Sequence, residues 1–83
     1  MPLYIDIHRN LEGLTAEAVA RAHARDLEVQ GEHGVEYLQY WFNEEEGTVI
    51  CLCRAPSREA AERVHRLAHG LVEDEIIEVQ EGV

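Results

Sequence analysis

The chain has 83 residues, seventeen acidic against seven basic side chains, a formal net charge of −10 and a pI near 4.7. That length makes one domain, residues 1–83, with a modest core. The charge argues against nucleic acid and against an anionic membrane surface, since both need clustered Lys and Arg. No apolar run is long enough to span a bilayer. The opening MPLYIDIHRN lacks the basic region and apolar core of a signal peptide.

PLYIDIHR (2–9) alternates and is rich in β-formers, which predicts a first strand. NLEG is a turn. LTAEAVARAHARDLEVQGEHG (14–34) is Ala-rich and predicts a helix, with Thr15 as N-cap and Gly31 or Gly34 at its end. VEYLQYWFN (35–43) is a second strand, dense in aromatics, and EEEG a hairpin turn with a solvated tip. TVICLCRA (48–55) is a third strand. Pro56-Ser57 opens a second helix, REAAERVHRLAH (58–69), with Ser57 as N-cap and Gly70 as stop. DEIIEVQ (74–80) is a fourth strand. The order β-α-β-β-α-β predicts an α+β ferredoxin-like sandwich, a four-stranded antiparallel sheet with two helices on one face. The other face is then bare.

Charge orients the helices. Glu17, Arg21 and Arg25 are spaced by four and share one face of the first helix. The opposite stripe centres on Val19, Ala22/His23, Asp26/Leu27 and Gln30. A buried stripe that holds His23 and Asp26 is a conflict, because an unpaired buried carboxylate costs several kcal/mol on the usual scales and so needs a partner. The second helix buries Ala60/Ala61, Val64 and Ala68, which leaves His65 and His69 on one flank. The first strand offers Leu3, Ile5 and Ile7 on one face and Tyr4, Asp6 and His8 on the other. Placing Asp6 and His8 beneath the helices gathers every awkward polar group in one cavity. It leaves the isoleucines on the bare face, where a second subunit would cover them. That arrangement is preferred over its mirror.

Four of the five histidines, His8, His23, His65 and His69, then converge with Asp6 and Asp26. His65-x-x-x-His69 has the i, i+4 spacing that projects two imidazoles from one side of a helix, although such pairs also occur as plain solvated surface. Asp6-x-His8 and His23-x-x-Asp26 each pair a carboxylate with an imidazole, as ligand or as orienting partner, or as simple hydrogen-bonded pairs. Cys51-x-Cys53 favours packing and reduced thiols in a cytoplasm over a disulfide, with Cys51 the better metal ligand of the two. His33 is incidental. Imidazole and carboxylate donors suit a divalent transition metal, whether nickel, zinc, copper or iron. No Gly-rich phosphate loop and no recognisable nucleophile arrangement is present. Tyr37, Tyr40 and Trp41 are expected in core and dimer packing.

The stretches MPLYIDIHRNLEGLTAEAVARAH, GVEYLQYWFNEEEGTVICLCRAPSREAAERVH and AHGLVEDEIIEVQEG carry a resemblance. They resemble the small ferredoxin-like proteins grouped as domain of unknown function 4242, which include a nickel-binding protein. The resemblance implies a homodimer, with sheets packed into an α/β barrel, and transition-metal binding with nickel the named example. The expected function is a cytoplasmic protein that buffers, senses or delivers metal. A metal-dependent enzyme with an apolar pocket beside an open coordination position, and a metal-free interaction module, remain as alternatives.

Overall fold

A computed structural model describes residues 1–82. Its elements run β1 (Leu3–His8), α1 (Ala16–Val29), β2 (Glu36–Asn43), β3 (Thr48–Arg54), α2 (Arg58–Ala68) and β4 (Glu75–Val79). The strands form one antiparallel sheet in the order β2-β3-β1-β4. This is the ferredoxin-like arrangement expected from the sequence. Among the described residues no helix is long and apolar enough to cross a membrane.

Both helix starts are capped by the expected hydroxyls. Thr15 accepts from the Ala18 N–H at 3.1 Å and Ser57 from the Ala60 N–H at 3.2 Å. A third acceptor comes from the hairpin tip, where Glu44 takes the Ala16 N–H at 3.0 Å. The tip is solvated, but Glu44 also fastens it to the positive end of α1. α1 stops earlier than its pattern suggested. It gives way to a 3-10 turn at Gln30–His33, closed by Gly34 at φ 69°. Tighter i to i+3 bonding uses up the terminal carbonyls.

A bulge decides how β2 faces the core. Tyr37 pairs with Cys53 and Gln39 with Leu52, so Leu38 is an extra residue. The parity of the strand changes there. Tyr37 and Tyr40 both lie on the helix side, opposite Cys53 and Cys51, while Trp41 opposes Ile50 on the other side.

β1 takes the preferred orientation. Tyr4, Asp6 and His8 are buried beneath the helices, and Leu3, Ile5 and Ile7 lie on the uncovered face. Ile5 sits between Leu52 and Ile77, and Ile7 beside Ile50. With Trp41, 49% exposed, they make an apolar sheet face. Leu27 departs from its expected place. It is 45% exposed, and the inward positions of α1 are Val19 and Asp26.

Gly47 closes the β2–β3 hairpin at φ 63°, and its carbonyl accepts from the Leu11 N–H at 3.0 Å. A Cβ at this position would lie 2.5 Å from the Leu11 carbonyl oxygen. Left-handed strain and a backbone clash therefore act together. Gly47→Ala is expected to lower stability by about 2 kcal/mol or more, read as a fall in the urea midpoint at constant m-value. A variant as stable as the parent would contradict this contact.

Candidate metal centre

The register of the sheet assembles the floor of the site. Asp6 pairs with Cys51 across β1 and β3, so both point up toward the helices, with His8 one step along. Tyr37 reaches in from β2. α1 lowers Asp26 onto this floor and α2 lowers His65, and both are buried, as are Asp6 and His8.

His65 is the hub. Its Nδ1 lies 2.9 Å from Asp26 Oδ1, and its Nε2 lies 3.0 Å from Asp6 Oδ2 and 3.0 Å from the Tyr37 hydroxyl oxygen. A neutral imidazole has only one N–H, so two carboxylate contacts on opposite nitrogens call for an imidazolium. The Tyr37 hydroxyl is 3.2 Å from the Ala61 carbonyl, which orients its proton. His69 supports the hub from behind. Its Nδ1 accepts from the Leu71 N–H at 3.1 Å, so the ring proton sits on Nε2 and is directed to Asp26 Oδ1 at 3.1 Å.

Burial by itself would push the Asp6 carboxyl up, but the hydrogen bond from His65 and the nearness of His8 outweigh it and hold Asp6 at about 2. Asp26 is lowered likewise, with His65 and His69 overcoming its burial. Burial alone would push His65 down, yet its bonds to Asp26 and Asp6 raise it to about 12. The Cys51 thiol is pushed up to about 11, mainly by burial, with His65 pulling the other way.

The expected site residues divide into two donor groups that share His65. Asp6, His8, Cys51 and His65 bring ligand-type atoms within 4.8 Å of one another, and so do Asp26, His65 and His69. The flank of α2 that carries His65 faces α1 and the sheet, and His65 is fully buried, at 1% exposure. His65 and His69 converge on Asp26, one through Nδ1 and the other through Nε2. His23 joins neither group. Its ring packs on Tyr40 with centroids 4.5 Å apart and lines a cavity that opens above the floor. Tyr37 was expected only to pack, and its hydrogen bond to His65 had no signal in sequence spacing. Glu73 was not anticipated at all. Both of its carboxylate oxygens are buried without a hydrogen-bond partner, and burial raises its pKa.

One atom bears directly on whether a cation fits. Asp6 Oδ1 is buried and takes no aligned hydrogen bond, although His8 Nε2 approaches to 3.2 Å. A buried anionic oxygen short of donors, flanked by an imidazole and a thiol, suits a metal ion that accepts O, N and S donors. Replacement of the Nε2 proton of His65 would complete such a set, leaving Nδ1–H on Asp26 to fix the ring.

A family described as nickel responsive protein, SCO4226-like, matches residues 4–79. The crystal structure of SCO4226 from Streptomyces coelicolor A3(2) is similar at a TM-score of 0.91 and 38% sequence identity. The match covers 98% of this chain and 99% of that one. No curated protein matches the chain significantly.

Proposed function

This chain belongs to the nickel-responsive SCO4226-like family, and on that premise we propose that it binds a divalent transition metal, nickel foremost, to buffer, sense or deliver it. The observation that carries the reading is the buried convergence of Asp6, His8, Cys51 and His65 around the donor-poor Asp6 Oδ1. In this reading these four residues are the ligands. Asp26 orients His65 through Nδ1, His69 steadies Asp26, and His23 lines the approach. Zinc, copper and iron accept the same donors. We further propose a homodimer closed over the apolar sheet face of Ile5, Ile7, Ile50 and Trp41. A reducing, cytoplasmic compartment suits its two free cysteines.

Proton release tests the ligand set. A ligating nitrogen or thiolate must first lose its proton. Calorimetric titration of untagged, metal-free protein at pH 7.5, in buffers of different ionisation enthalpy, is expected to show release of about two protons per ion bound, one from His65 Nε2 and one from Cys51. Cys51→Ala is expected to reduce that to about one. Unchanged affinity in His65→Ala, or no proton release, would remove these residues from the metal site.

A further inference from the structure

Beside the buried cluster lies a cavity of about 80 Å³ with a mostly apolar lining. Val19, Ala22 and Leu71 line it together with Asp26, and the proposed ligands His8, Cys51 and His65 border it as well. Small apolar pockets ending in a few convergent polar groups are the usual form of a ligand site. Two observations specify the ligand. Asp26 Oδ1 already serves both His65 and His69, whereas its Oδ2 takes no hydrogen bond among the described residues. No arginine lines the cavity, and the chain contains no lysine.

We propose that this cavity binds a small organic cation, an ammonium group on a short apolar body, with the ammonium donating to Asp26 Oδ2 and the body between α1 and the sheet. The ammonium supplies the donor that Asp26 Oδ2 lacks. A carboxylate head would meet Asp26 with no basic side chain to offset it, and would be excluded. The site uses metal-free protein and does not rest on the metal reading.

A matched series isolates the head group, because butylammonium, 1-butanol and butyrate share one body. Titrated into metal-free protein and followed by amide chemical shifts of Val19, Ala22 and Leu71, butylammonium is expected to bind about tenfold more tightly than 1-butanol, with butyrate weakest. Asp26→Asn is expected to erase the difference between butylammonium and 1-butanol. Ala22→Leu, which fills the cavity and leaves the buried cluster in place, is expected to weaken both. The proposal is overturned by equal binding of the three probes, by preference for butyrate, by shifts confined to other surfaces, or by unaltered butylammonium binding in Ala22→Leu.

Discussion

His65→Ala is expected to destabilise the metal-free protein by about 3–5 kcal/mol, enough to unfold much of a small domain. The cost does not come mainly from the lost ring volume. His65 is the shared partner of two buried carboxylates, 3.0 Å from Asp6 and 2.9 Å from Asp26. Its removal leaves both anions without their main donor, and stranding a buried charge costs more than the pair contributes when intact. The double reversal checks this cause. Adding Asp6→Asn and Asp26→Asn to His65→Ala takes away the stranded charges, so the triple variant is expected to regain part of the loss. Urea unfolding of the three proteins gives the comparison. A loss below about 1 kcal/mol in His65→Ala, or a triple variant less stable than the single one, would show that the hub is not held by charge.

The second large effect is the pH dependence of stability in metal-free protein. Asp6 is lowered from 3.8 to about 2, so its contribution is present above pH 3.8 and is lost as the pH falls through 2. Asp26 acts in the same direction. His65 is raised from 6.5 to about 12, so its contribution is complete below 6.5 and is lost progressively as the pH climbs toward 12. These are two ends of one ion-pair network and are not added together. Cys51 reinforces the alkaline decline, since its thiol ionises near 9 when unfolded but at about 11 when buried. Glu73, raised by burial, favours its protonated form and adds to the decline above pH 4.5.

Stability is therefore expected to peak between about pH 4 and 6.5 and to fall between pH 6.5 and 9 by up to about 1.4 kcal/mol per pH unit. On the proposed ligand set, saturating nickel is expected to reverse that alkaline slope, because an ion in place of the Nε2 proton competes better as protons become scarce. Urea midpoints measured from pH 3 to 9, with chelator and with saturating nickel, give both curves. A metal-free midpoint that is flat or rising from pH 6.5 to 9 would exclude a charged His65 in the native state. The same profile in His65→Ala is expected to lose its alkaline limb.

Much of this site was legible because its residues are unusual for their positions. Asp26 on the inward stripe of α1 could not be reconciled with an apolar core, and Asp6 and His8 shared a strand face that had to lie over or under the sheet. Joining the two conflicts located the cluster. The helix caps Thr15 and Ser57, the glycine stops and the strand alternation also followed from local chemistry, which acts over a few residues and is written in adjacent positions.

The rest depended on relations between distant segments. Leu38 bulges out of β2 and so turns both Tyr37 and Tyr40 toward the helices; a bulge is set by pairing with β3, and strict alternation along β2 does not contain it. The i, i+4 spacing of His65 and His69 placed them on one side of a helix. Only the closeness of α1 to α2 determined that they meet at Asp26 rather than at a common open position. His23, equal to the others in sequence, packs on Tyr40 because that bulge brings Tyr40 beneath it. Residue chemistry and periodicity thus determined that Asp6, His8 and Asp26 are buried, while the sheet register and the helix packing decided which groups touch. Those contacts set the charge of His65.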